Sequence, residues 1–242
     1  MASISVLDRE LYAIPEAARL LDLPARKLRR WLDGFTIGAK TYLPVIRLEP
    51  TGSESVTWAE FVEAGFLREY RAEKVSLQHL RSIIEVIRQE TGVPYPLAQY
   101  RPLIASRELV MRLDFSDLDG VSNAPLAVHG DSDLDRESKA PLAVHRGPSW
   151  QLLWGQAVEL FLRKVDFDAE GIAERVHPLG KESPVALDPR LVFGVPQVGG
   201  IRTETIAEAY LSGETPDQIA VSYAIPVEHV HAALRWELQA AA

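Results

Sequence analysis

The strongest chemical signal in this sequence is a cluster of cations in one predicted helix near the amino terminus. The cations are Arg26, Lys27, Arg29 and Arg30. Apolar residues recur among them at the spacing of one helix face, at Ala25, Leu28 and Leu32, so the cations lie on the other sides of the helix. A cationic helix fits the major groove of duplex DNA, where arginine binds guanine edges and phosphates through paired hydrogen bonds. The pattern predicts a DNA-binding helix, and the alternative is a helix face that is merely solvated.

The carboxylates and histidines do not form a pattern that predicts catalysis. Asp131, Asp133 and Asp135 lie in a polar, loop-like segment, where we expect solvated charges rather than the buried acid and base of a catalytic pair. His129 and His145 have no neighbouring carboxylates of fixed geometry, so they are weak evidence for a metal site. We therefore predict a protein that is not an enzyme and that needs no metal and no cofactor.

The composition of the chain narrows its class. The 242 residues include no cysteine, which removes disulfides and thiolate sites together and is typical of a reducing compartment. The amino terminus lacks a signal-like apolar segment, and no stretch approaches the roughly 18 apolar residues of a membrane span. We expect a cytoplasmic protein with no membrane partner. Residues 1–48 carry a net charge of +3 and the remainder −11, which indicates two partners of opposite sign.

The cationic helix belongs to a predicted helix-turn-helix within residues 12–35. Pro15 suits the start of a first helix, and Pro24 ends the break before the second. The following residues 40–48 are β-rich and interrupted by Pro44, so a short hairpin there would form a wing that adds Lys40 to the DNA-binding residues. A capping-box pattern at residues 57–60 predicts a helix to about Tyr70, and residues 76–91 predict another amphipathic helix.

The middle of the chain contains a duplication. The block APLAVH occurs at residues 124–129 and again at 140–145, around a polar and acidic spacer. Two copies do not make a solenoid, so we interpret the duplication as an insertion at a tolerated loop. We expect paired strands at residues 102–105 and 108–115, and a long amphipathic helix over residues 150–165.

The carboxy-terminal residues predict a second helix-turn-helix arrangement with different chemistry. We expect helices over residues 203–211 and 215–223, the second opened by a capping box, and a last helix with Leu238 among its inward residues. That last helix begins with Glu228, which phosphate groups would repel. This copy is therefore predicted to bind protein or to dimerise rather than to read DNA.

Particular runs of residues connect both ends of the chain with known families. The runs IPEAARLL and LRRWL resemble the DNA-binding head of MerR-type regulators. Residues 185–234 resemble a small bacterial domain of unknown function that occurs alone or at the end of larger antitoxins; the matching runs include DPR at 188–190, FGVP at 193–196 and GIRT at 200–203. Together they resemble a large VapB-type antitoxin.

The resemblance implies a type II antitoxin that neutralises a PIN-domain ribonuclease toxin and represses its own operon by binding operator duplex DNA. We assign partner contacts to Arg202, Thr203 and Glu228. The Arg202 guanidinium could enter the carboxylate cluster of the toxin, and the alternative is that it anchors its own loop through a salt bridge. The alternative for the whole chain is a free-standing MerR-type regulator whose carboxy-terminal part senses an effector or dimerises, and a third class is an adaptor that binds protein only.

The predicted fold is mainly α with some β (α+β). We expect a MerR-like winged helix-turn-helix domain with a helical extension at residues 1–100, a β-hairpin and long-helix region at 101–182, and a helix-turn-helix-like antitoxin domain at 183–242. Because helix-turn-helix proteins usually read two half-sites, we also expect a homodimer.

Overall fold

The computed structural model describes residues 5–72, 74–99 and 161–240. These residues form a mixed α and β structure in which every sheet has only two strands. The predicted strands at 102–105 and 108–115, the duplicated blocks, and residues 150–160 of the predicted long helix lie outside the described residues. No described helix has both the length and the apolar character needed to cross a membrane.

The amino-terminal residues 5–72 and 74–99, called the head below, begin with two short helices. Strand β1 (Glu10–Ala13) leads into α1 (Ile14–Leu20), and α2 (Ala25–Asp33) follows after a short turn. Asp22 makes that turn with a positive φ of 51°, a conformation that aspartate tolerates better than most residues. The two predicted helices are therefore present.

The hairpin after α2 lies earlier in the chain than the sequence predicted. Strands β2 (Phe35–Ile37) and β3 (Lys40–Tyr42) pair antiparallel, whereas residues 43–48 form no strand. Gly34 ends α2 with a φ of 71° and so lets a strand start at once. Residues 45 and 46 cannot pair as a strand because both of their N–H groups donate to the Trp31 carbonyl at the end of α2, at 2.9 and 3.0 Å.

Two longer helices complete the head. Strand β4 (Ser55–Thr57) pairs with β1 and runs directly into α3 (Trp58–Ala72), and α4 (Leu77–Thr91) follows. The predicted capping box is present. The Glu60 N–H donates to the Thr57 hydroxyl at 3.3 Å, and the Thr57 N–H donates to the Glu60 carboxylate at 2.9 Å.

Residues 161–187 share one hydrophobic core with the head. Phe161, Val165 and Ala173 are buried in the same cluster as Ile14, Leu28 and Trp58, and the Trp58 indole donates to the Ala173 carbonyl at 2.7 Å. Within the described residues the predicted long helix ends at Leu162, and Val165 instead begins β5 (Val165–Phe167), which pairs with β6 (Ala173–Val176). The helix prediction was thus wrong at Val165, whose burial comes from a strand.

Residues 197–240 are called the carboxy-terminal module. Strands β7 (Gln197–Val198) and β8 (Ile201–Arg202) form a hairpin, followed by α5 (Thr203–Leu211), α6 (Pro216–Tyr223) and α7 (Val227–Ala240). A second hydrophobic cluster holds these helices, and Trp236 of α7 packs against both clusters. The predicted helices are present, but Leu238, predicted to face inward, is 73% exposed because the module does not extend beneath the end of α7.

Candidate nucleic-acid interface

Helix α2 separates apolar and cationic sides as the sequence predicted. Leu28, Trp31 and Leu32 are buried, whereas Arg26 and Arg29 are exposed. Lys27 and Arg30 are half-buried, and the charged end of each lies over an aromatic ring. The Lys27 ammonium lies 5.3 Å from the centroid of the Trp31 ring. One side of α2 therefore packs into the core of the head, and the other offers cations to solvent.

A stack of aromatic rings joins α2 to the β2–β3 hairpin. Phe35 and Tyr42 are cross-strand partners whose rings stack 4.5 Å apart at an interplanar angle of 11°. The Arg30 guanidinium lies 4.5 Å from the Phe35 centroid, and the Lys40 ammonium lies 5.1 Å from the Tyr42 centroid. Each ring attracts its cation through the negative face of its π-system. The arrangement orders a cation of the helix and a cation of the hairpin along one continuous surface.

Arg29 of α2 already has a carboxylate partner. The Arg29 guanidinium donates two hydrogen bonds to the carboxylate of Glu54, and both side chains are exposed. This hydrogen bonding raises the pKa of Arg29 and lowers the pKa of Glu54. Because Glu54 offsets its charge, Arg29 is less available to a phosphate group than Arg26 is.

A buried arginine fixes the carboxyl end of α2. Arg47 donates to Asp33 at 2.8 Å, to Glu60 at 2.8 Å and to the carbonyl of Ser55 at 2.7 Å. Burial alone would raise the pKa of Asp33, but hydrogen bonds from Arg47 and from the Thr51 N–H outweigh it and lower that pKa. Arg47 is one of the positive charges of residues 1–48, but it is buried and connects α2, α3 and the segment between them instead of facing solvent.

The residues assigned to partner contacts lie in two places on the carboxy-terminal module. Arg202 is exposed at the start of α5, and Glu228 is exposed in the first turn of α7. Among the described residues no carboxylate forms an ion pair with Arg202, so the structure does not show the salt-bridged anchor that was the alternative for it. Thr203 is buried, and its hydroxyl donates to Glu237 of α7. A contact of Thr203 with a partner stays a prediction, and in the structure its hydrogen bond holds α5 against α7.

Sequence reasoning missed several residues that shape this surface. Phe35 and Tyr42 give one signal, because two aromatic residues symmetric about the Gly38–Ala39 turn predict a cross-strand pair once the hairpin is placed correctly. No sequence signal points to Arg81 and Arg88 of α4, because they bind the carbonyl groups of Pro44 and Ile46, which are far away in the sequence. Within the described ranges no group of three potential ligand side chains could hold a metal ion.

Comparison with known proteins places the chain in a family. It is 30% identical over 240 residues to "Uncharacterized protein Rv2308" of Mycobacterium tuberculosis, an alignment that covers 97% of this chain and 92% of the relative. The chain therefore belongs to the same family as that protein. It is also 26% identical over 239 residues to "Putative antitoxin VapB45" of the same organism, covering 94% of this chain and 93% of that protein. The second similarity supports an antitoxin-like interpretation.

A solved structure supports the fold. The crystal structure of Rv2018 from Mycobacterium tuberculosis matches with a TM-score of 0.66 at 22% identity, and the match covers 94% of this chain and 98% of that one. At this identity the likeness concerns the fold alone. No protein-family model matches the chain.

Proposed function

We propose that this chain is the antitoxin of a type II toxin–antitoxin pair, which binds a PIN-domain ribonuclease toxin and represses its own operon through the head. The observation that carries the proposal is the similarity to a protein named as an antitoxin, which extends over 94% of this chain. An alignment of that extent includes both the cationic helix α2 of the head and the acidic carboxy-terminal module, the two parts that the two activities require.

The surface of α2 and the hairpin supports the DNA-binding half of the proposal. Arg26 is exposed, and Arg30 and Lys40 are ordered on the stacked rings of Phe35 and Tyr42. Ordered cations lose less conformational entropy when they bind phosphate groups than freely rotating ones do. In this proposal α2 enters the major groove and Lys40 on the hairpin contacts the adjacent backbone.

The charge of the carboxy-terminal module supports the protein-binding half. Residues 203–240 contain six carboxylates and one arginine. A ribonuclease attracts the polyanionic backbone of RNA, and a surface of the same sign as RNA can be attracted to the same groove. The other route is insertion of the Arg202 guanidinium among the metal-binding carboxylates of the toxin.

Co-expression with the adjacent gene for a PIN-domain protein tests the proposal. The full-length chain should restore growth and co-purify with the toxin. Arg26→Ala combined with Arg30→Ala should retain both properties but lose binding to a duplex that carries the promoter of the chain's own gene. Full-length variants are needed because the head shares its core with residues 161–187. Arg235→Ala, which removes an exposed cation from α7, is the control and should leave promoter binding unchanged.

The result also separates the proposed function from its alternative. Promoter binding without any toxin binding would support a free-standing regulator of MerR type. Toxin binding without promoter binding would leave an adaptor that acts on protein alone.

The two routes of inhibition predict different results for the complex. If acidic residues steer the module to the toxin, association should slow as salt screens the charges. If Arg202 enters the catalytic carboxylates, Arg202→Ala should form the complex almost normally but leave the toxin able to cleave RNA. Glu228→Gln is the matched variant for the first route, and it should slow association without restoring cleavage.

A further inference from the structure

The residues that follow the hairpin connect it with helices α2 and α3 of the head. Within residues 43–47, the N–H groups of Val45 and Ile46 cap the end of α2 through the Trp31 carbonyl. Arg47 then binds Asp33 of α2 and Glu60 of α3. This segment, called the hub below, therefore fixes how the hairpin leaves α2, and any element that holds the hub also holds the hairpin.

Helix α4 holds the hub through two arginines on one face. Arg81 donates through Nε to the Pro44 carbonyl at 3.2 Å and through Nη2 to the Leu43 carbonyl. Seven residues later, and so two turns along the same face, Arg88 donates through Nη2 to the Ile46 carbonyl. Three carbonyl groups of four successive residues are thus bound by two guanidinium groups from one helix.

The position of Arg81 is not that of an ordinary solvated surface arginine. Burial lowers its pKa, so bringing this guanidinium to the hub costs desolvation free energy. Its acceptors in the described part of the chain are backbone carbonyls rather than carboxylates. A planar guanidinium can bind two successive carbonyls at once, which a lysine ammonium on a single stem cannot do with the same geometry. The interaction is specific for the path of the backbone.

The neighbours of Arg88 connect the hub to the rest of α3 and α4. Its Nε donates to the Pro94 carbonyl at 2.7 Å, and its Nη2 lies 3.5 Å from the Glu63 carboxylate. Glu63 in turn accepts the Leu97 N–H at 3.1 Å. The position of the hub therefore depends on how α4 and the residues after it pack on α3.

We propose that Arg81 and Arg88 are positioning residues for the candidate nucleic-acid surface, because they hold the hub and thereby fix the hairpin and its Lys40 relative to α2. The inference rests on the proposed DNA-binding function and adds a residue-level control to it. A partner that moves α4 would change the contribution of the hairpin to DNA binding without touching α2.

A double-mutant cycle on the promoter duplex tests the coupling. In the wild-type background, Lys40→Ala should weaken binding about fivefold, as expected for one lost phosphate contact. In an Arg81→Lys background the same change should cost less than about twofold, because the hairpin no longer places Lys40 on the DNA. Arg26→Ala, on α2, should cost the same factor in both backgrounds. Equal effects of Lys40→Ala in the two backgrounds would overturn the proposal.

The choice of Arg81→Lys and one further variant separate position from charge. Arg81→Lys keeps the positive charge, so an effect of this variant on Lys40 cannot come from a lost phosphate attraction. Arg71→Ala provides a matched control, since Arg71 is also half-buried and also donates to a backbone carbonyl, that of Val75. It should leave the Lys40 effect intact. A loss of that effect in Arg71→Ala as well would indicate general disturbance of the head and contradict the proposal.

Hydrogen exchange tests the same claim without DNA. Arg81→Lys should increase the exchange rates of the hairpin amides at residues 36–42, while the amides of α1 keep their wild-type rates. Unchanged hairpin rates would show that α4 does not order the hairpin. If the wild-type chain binds no promoter duplex, the proposed function fails, and the exchange rates alone then decide whether the two arginines order the hairpin.

Discussion

The head and the carboxy-terminal module use the same local device and give it opposite charges. In each, a proline precedes or opens the second of two short helices, at Pro24 for α2 and at Pro216 for α6. Helix α2 carries four cations and one carboxylate, whereas residues 203–240 carry six carboxylates and one arginine. The backbone pattern therefore does not choose the partner. The side chains on its outer face do, because long-range attraction depends on charge and not on helix geometry.

The two regions also differ in how polar groups stabilise them. The head buries ionisable side chains, among them Arg47, Glu60 and Glu63, and hydrogen-bonds them across several elements. The carboxy-terminal module keeps most of its carboxylates in solvent and relies on its apolar cluster. Removing one member of a buried ion pair is costly because the other charge stays buried without a partner, whereas water solvates an exposed charge that has lost its partner. The predictions below use this difference.

The largest effect is expected from Arg47→Met. This change leaves the buried carboxylate of Glu60 and the partly buried carboxylate of Asp33 without their guanidinium, and losing one member of a buried pair typically costs about 3–5 kcal/mol. Urea unfolding followed by circular dichroism measures it. The control is Arg29→Met, which removes an arginine from an exposed pair and should leave the unfolding midpoint unchanged. Equal losses of unfolding free energy in both variants would show that the buried network stabilises the head no more than the exposed pair does.

Two glycines with positive φ should respond differently to alanine. A Cβ on Gly34 would lie 2.2 Å from the Tyr42 carbonyl oxygen at a φ of 71°, whereas one on Gly213 would meet no atom within 4 Å at a φ of 101°. We expect Gly34→Ala to lower the free energy of unfolding by about 3 kcal/mol, through backbone strain and a clash that must move the hairpin. Gly213→Ala should cost about 1 kcal/mol, from strain alone. Similar losses would mean that the hairpin is free to shift away from α2.

The pH dependence of stability should reveal the buried carboxyl of Glu63. Burial raises its pKa to about 8, although Arg88 and the Leu97 N–H lower it in part. The folded state therefore binds a proton that the unfolded chain releases near its ordinary pKa, so this contribution is complete below about pH 4.5 and is lost as the pH rises towards 8. We expect a loss on the order of 3 kcal/mol between pH 5 and 8. Glu63→Gln should remove this slope, and identical slopes in both proteins would refute the assignment.

The smallest effect is expected at the capping box of the carboxy-terminal module. Thr215 accepts the Gln218 N–H at 3.3 Å in an exposed position. Thr215→Ala should therefore cost about 1 kcal/mol, a typical value for an N-cap. The matched change Thr57→Ala, in the capping box of α3, should cost more because Glu60 is also held by Arg47 in the buried network. A larger loss for Thr215→Ala than for Thr57→Ala would contradict the expectation that the head depends more on its polar groups than the carboxy-terminal module does.

Much of the fold could be predicted from local signals. The turn at Asp22–Pro24 and the two capping boxes placed the starts of α2, α3 and α6, because caps and prolines act within a few residues of one another. The hairpin was misplaced because the β-forming composition of residues 43–48 outweighed the signal of Gly34 and Gly38 in sequence analysis. Leu238 was misjudged because a helical period shows which residues share a face but not whether a neighbour covers it, and Val165 was misjudged because the period does not show where the helix ends.

The sequence predicted the charge of the candidate site but not the side chains and carbonyl groups that its cations contact within the protein. By itself the sequence determined where the cations lie, since the 3.6-residue period sets the faces of α2 whatever packs against it. Only the tertiary structure decided what each cation does. It pairs Arg29 with Glu54, buries Arg47 between two carboxylates, stacks Arg30 and Lys40 on neighbouring rings, and brings Arg81 and Arg88 to the hub. The physical reason is that most of these contacts join residues far apart in the chain, so they exist only after packing of the core has brought the elements together.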